Sequence, residues 1–150
     1  MKPLQNYHFG VNLWGLLLFL LLMLPNFIWF SFPAPHDILR KESLTPIVDA
    51  VGSVFQVLTI ACLCFVSNNE RKKLRFSPLV VLTIVCVLTY YIGWILYYSG
   101  ITGMCVILLL TVVPCVSFIL FATNRNNIPA VLSAIGFTVC HVIFGVVNFV

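Results

Sequence analysis

Charge is what this sequence has least of. Lysine and arginine number 8, aspartate and glutamate 4, and together they make up only 8% of the 150 residues. A soluble domain is about 25% charged, so soluble enzymes and soluble binding modules are excluded as classes. Long polar segments are lacking too, so no second domain is expected. The short patterns that carry chemistry are also missing: there is no HExxH, GxSxG, Walker loop or CxxC, and no acidic cluster with metal-ligand spacing. Nucleic acid is not an expected partner, because the one basic cluster, Arg71 to Arg75, is short and abuts an apolar run.

Apolar residues fill the space, at 61% of the chain. Runs of about 18 or more apolar residues read as membrane spans, and there are five. The expected fold class is all-α: one domain, an integral membrane bundle of five transmembrane helices at about 9–32, 46–66, 78–98, 101–121 and 129–150. The first run is read as an uncleaved helix. Its basic flank is only Lys2, its apolar stretch runs unbroken from Val11 to Leu24, and SFPAP supplies no small-x-small cleavage site. The 6 cysteines all fall within apolar runs, where they read as small buried hydrophobes. No cofactor or metal is implied.

Proline punctuates these runs. Thr45-Pro46 and Ser77-Pro78 are helix starts, with the hydroxyl residue as N-cap and proline in the first turn. Pro25 and Pro114 fall inside runs. Each frees a carbonyl that needs another partner in lipid, so a kink or unwound last turn is expected at Pro25. The short turn Ser99–Gly103 makes helices three and four antiparallel neighbours.

Orientation follows from the basic residues. Lys2, Arg71, Lys72, Lys73, Arg75 and Arg125 fall on one side, and only Arg40 and Lys41 on the other. The positive-inside rule makes the first side cytoplasmic, with the amino terminus inside and the carboxyl terminus outside. Residues 33–45 then form the sizeable outer loop. The segment Pro25–Asp49 holds four of the 8 prolines and three of the 4 acidic residues. Arg40, Lys41, Asp37 and Glu42 read as solvated or mutually paired.

Polar groups inside membrane spans are costly and mark candidate sites. Asp49, Ser53 and Gln56 form a stripe on helix two at i, i+4 and i+7; Thr138, His141, Gly145 and Asn148 form one on helix five. Asn26 lies at a compatible depth. Tyr90, Tyr91, Trp94, Tyr97 and Tyr98 crowd the end of helix three, as an interfacial belt or as a ligand-lining face. The candidate ligand-binding residues are therefore Asn26, Asp49, Gln56, Tyr90, Tyr91, Trp94 and His141. Structural alternatives stand beside these: Asp49 paired with Arg40 or Lys41, Gln56 bridging helices, and His141 as a packing residue.

The stretch PNFIWFSFPAPHDILRKESLTPIVDAVGSVFQ, with the closing TVCHVIFGVVNF, resembles small, uncharacterised five-span membrane proteins of Gram-positive bacteria. The resemblance implies a bacterial plasma membrane and transfers no activity. Helix number, length and loop placement are also similar to translocator proteins of the tryptophan-rich sensory family. In that family the loop between helices one and two covers a pocket for apolar ligands. This chain has 3 tryptophans and no Trp-x-Pro-Pro, so no binding residue carries over.

The expectation is a multi-pass, non-enzymatic membrane protein with an outward pocket under residues 33–45, acting as a sensor or carrier. Its expected partners are the bilayer and an apolar or cationic small molecule. The alternative is an accessory or immunity-type subunit acting through a membrane protein partner or a second copy of itself. A membrane enzyme is a third reading, for which no motif orders the polar groups.

Overall fold

The computed structural model describes residues 7–69 and 77–150. Lys2 and the basic cluster at 71–75, on which the expected orientation rests, lie outside the described residues. Five helices dominate: α1 (Leu13–Ser31), α2 (Pro46–Phe65), α3 (Pro78–Tyr98), α4 (Met104–Asn124) and α5 (Ile128–Phe149). They run from 19 to 22 residues and all are apolar enough to span a membrane. At 1.5 Å per residue they reach about 28–33 Å, the thickness of a hydrocarbon core. Side chains such as Phe30, Ile47 and Leu132 are exposed on the periphery, where lipid tails cover them. This is a polytopic membrane protein built as a helical bundle.

The helix ends differ from expectation in three places. Residues 9–12 are not helical. Instead β1 (Tyr7–Phe9) pairs antiparallel with β2 (Val66–Asn68), a two-stranded ribbon across one end of the bundle. The ribbon satisfies carbonyls that α2 leaves open at its C-terminus: Gly10 N donates to Phe65 O at 2.9 Å and Asn12 N to Cys64 O at 2.7 Å. The fourth helix starts at Met104 rather than 101, because Ser99–Gly103 is consumed by the turn, in which Gly100 has φ 87°. Nor does Pro25 unwind α1, which continues to Ser31. The carbonyl that Pro25 cannot bond belongs to Leu21, and Tyr91 Oη donates to it at 2.8 Å.

The caps divide. Ser77 accepts from Val80 N, as expected of an N-cap. Thr45 flanks α2 but makes no side-chain capping bond; its hydroxyl donates to Asp49 Oδ1 at 3.0 Å. Asn127 caps α5 and also donates to Cys62 O and Val66 O, tying α5 to the end of α2.

The helices pack extensively as α3–α4, α4–α5 and α2–α5, and more sparingly as α1–α2 and α1–α3. These contacts close a ring in the order α1, α2, α5, α4, α3. Lipid removes the hydrophobic drive between helices, so association relies on close packing of small residues. Gly52 would place a Cβ 3.1 Å from that of Cys140, which brings α2 against α5. A Cβ on Gly15 would run into the Leu63 carbonyl, so α1 can cross α2 there only as glycine. The buried core runs the length of the bundle, from Leu63, Phe121 and Ala130 near the ribbon, through Phe118 and Phe137, to Trp94 and Tyr97 at the opposite end.

Candidate functional site

That end is closed by the connection from α1 to α2, and its polar groups hold it in place. A single 3-10 turn, Ile38–Arg40, lies within it. Asp37 accepts from Trp29 Nε1 at 2.9 and 3.0 Å, from Tyr97 Oη at 2.8 Å and from Arg40 Nε at 2.8 Å. Tyr97 Oη accepts in turn from Leu39 N. Arg40 caps α1 by donating to Trp29 O and Phe30 O, and its guanidinium lies 4.9 Å from the Trp29 ring centroid. Burial alone raises the Asp37 pKa, but the hydrogen bonds from Trp29, Tyr97 and Arg40 outweigh it and hold the carboxyl below its ordinary value. Asp37 is therefore a half-buried anchor, its side chain 10% exposed, and of the two expected readings it is the pairing, with Arg40, that holds.

Beneath this connection is a cavity of about 270 Å³ to which all five helices contribute. Leu39 forms part of its lining from the loop side. Five of the seven candidate residues line it: Asn26, Gln56, Tyr90, Trp94 and His141. Asn26 Nδ2 donates to Tyr90 Oη at 2.8 Å and to Leu22 O at 2.9 Å, joining α1 to α3. His141 is stacked on Phe137 with ring centroids 4.9 Å apart, and on Phe144 at 6.1 Å.

Asp49 lines a second cavity of about 220 Å³ between α2 and α5. Gln56, Phe137, His141 and Phe144 line both cavities, so the two share a wall. The pairing of Asp49 with Arg40 or Lys41 does not occur: Arg40 is committed to Asp37 and to the end of α1, and the one salt bridge among the described residues is Arg40–Asp37. Asp49 instead joins a chain of polar contacts through Thr45, whose hydroxyl accepts from Asn148 Nδ2 at 2.9 Å, while Asn148 Oδ1 accepts from Leu44 N at 2.6 Å.

Tyr91 departs from the candidate set. It lines neither cavity and faces an apolar groove between α1 and α3, with its hydroxyl on the carbonyl freed by Pro25. The stripe residues Ser53 and Thr138 also lose their standing, because each hydroxyl donates to the carbonyl four residues earlier. Gln56 and His141 have no such local outlet, and among the described residues neither side chain makes a hydrogen bond.

Sequence reasoning gave no part in the site to Asp37, Trp29, Leu39, Thr111 and Phe118. Trp29 and Asp37 are eight residues apart across a bend, a separation with no helical period to pair them. Thr111 and Phe118 lie on α4, which is apolar all round, so no stripe marks the face turned inward. No group of three or more His, Cys, Asp or Glu able to hold a metal occurs among the described residues. Comparison with known proteins returned no matching family model, curated protein or solved structure.

Proposed function

We propose that this protein binds a small molecule or lipid-like ligand in the five-helix cavity, as a sensor or carrier of a plasma membrane. The observation that carries the reading is convergence. All five helices line one largely apolar chamber, and a loop held by the half-buried Asp37 anchor closes over it. Pockets of this kind, apolar with a few placed polar groups, are the usual form of small-molecule sites. On this reading the loop end faces outward, as the lysine and arginine distribution implies. The test is a thermal-shift screen of the purified protein against apolar and cationic compounds, alongside Asp49→Asn and His141→Ala. At least one ligand class is expected to raise the wild-type Tm, with a smaller shift in both variants. If no class stabilises the wild type, or both variants respond as the wild type does, the reading is wrong.

A second reading draws on the groove between α1 and α3, which is about 470 Å³ and lined by residues such as Trp14, Leu17, Ile84 and Leu88. An accessory or immunity-type subunit could seat a partner's membrane helix there. Stoichiometric co-purification with a larger membrane protein, abolished by Ile84→Trp, would favour it.

A further inference from the structure

Resting on the ligand-pocket reading above, we infer that the ligand is a cationic amphiphile, with an ammonium group at Asp49 and an apolar body of about two rings in the central cavity. The charge argument starts from Asp49. It lines the smaller chamber, and no lysine or arginine lies within ion-pair distance of it among the described residues. Its Oδ1 accepts from Thr45, and Oδ2 accepts from no side chain. Asp49 lies in the first turn of α2 and lines the smaller chamber with no basic side chain among the described residues paired to it, which leaves its carboxylate open to a bound ammonium. No lysine or arginine lines either chamber, so an anionic ligand would find no fixed positive charge there.

The aromatic wall points the same way. Tyr90, Trp94, Phe118 and Phe137 line the central cavity, and ring faces attract cations. Trp29 is already engaged by Arg40, whereas Trp94 is met by no cation among the described residues. Trp94 also carries a second signal. It is 6% exposed, and its Nε1 is buried with no hydrogen-bond partner of normal geometry. Across the cavity, Pro114 cannot donate to the Leu110 carbonyl, and no side chain among the described residues takes it up. Trp94, with its buried indole N–H beside Tyr90, and Leu110, whose carbonyl lacks its usual amide, thus both line one apolar chamber.

Size sets the body of the ligand. A cavity of about 150 Å³ accommodates one benzene ring, so about 270 Å³ accommodates roughly two. Gln56 and His141 stand between the two chambers and, among the described residues, neither side chain is held by a hydrogen bond, so a molecule that spans both, with its ammonium on the Asp49 side, must part them.

The test uses three probes on the purified full chain in uncharged micelles, read by titration calorimetry. The first is naphthylethyl-trimethylammonium. The second is its isostere with tert-butyl in place of trimethylammonium, and the third is naphthylpropanoate. The wild type should bind the ammonium probe about tenfold or more tighter than the isostere. Asp49→Asn should remove that preference while leaving isostere binding unchanged, which also reports an intact pocket. Asp49→Glu should restore it, and Trp94→Phe should weaken both probes. Ammonium and isostere bound within about twofold of each other, or the propanoate bound tightest, overturns the cation inference and leaves the pocket reading standing. If no probe binds a wild type that circular dichroism shows to be folded, the pocket reading goes with it.

Discussion

At the scale of single residues, the polar side chains divide by where their hydrogen bonds go. Ser53, Thr59, Thr83, Thr111 and Thr138 each satisfy their hydroxyl on their own helix, and such residues cost little inside a membrane. Asp37 is different, because three side chains from three places converge on it. Asp37→Ala strands Trp29 Nε1 and Tyr97 Oη and should cost about 2–4 kcal/mol, with little of that from the partly exposed Arg40 pair. Because the folded pKa lies below the ordinary 3.8, the carboxylate's contribution is fully present above that value and is lost as pH falls through the folded pKa. Thermal melts between about pH 7 and about pH 3 should show wild type losing more stability below about pH 4 than Asp37→Ala loses over the same range. Equal slopes for the two proteins would remove Asp37 from the account.

At the scale of elements, α2 and α5 form the pair that brings the two polar stripes together. Their close approach at Gly52 and Cys140 gives a direct check. A hypothetical Cβ at Gly52 lies 3.1 Å from the Cys140 Cβ, and disulfides need Cβ atoms about 3.5–4.5 Å apart. A small outward shift of either helix meets that requirement. Gly52→Cys, in a chain whose other five native cysteines are replaced by alanine and Cys140 is kept, should crosslink on mild oxidation. The adduct should survive denaturation and return to the uncrosslinked mobility on reduction. Failure to crosslink would place α2 and α5 in another register. The loosely held element is α1, fixed to α3 by Asn26 on Tyr90 and by Tyr91 on the Leu21 carbonyl. Tyr91 was legible as an aromatic at the right depth. Its role was not, because it answers a proline on a different helix, 66 residues away in sequence.

At the scale of the whole molecule, orientation rests on eight basic residues split six to two. A phosphatase fused after Val150 should be active, and a fluorescent protein fused there dark. The reverse result would turn the bundle over and put the loop-covered cavity on the cytoplasmic side. The five spans and the all-α class were readable from composition and run length, because a bilayer sets both the length and the polarity of whatever crosses it. Asn26, Asp49, Gln56, Tyr90, Trp94 and His141 were readable as polar or aromatic exceptions in apolar runs. Which of them share a chamber was not readable, since nothing in a helix's own period says which neighbour it faces. The ring order placed Asn26, Gln56, Tyr90, Trp94 and His141 around one cavity, set Asp49 across a shared wall, and turned Tyr91 away. The ribbon at one end and the Asp37 anchor at the other depend on partners up to 61 residues distant. Local pattern carries no trace of such pairings; they exist only once the helices have packed.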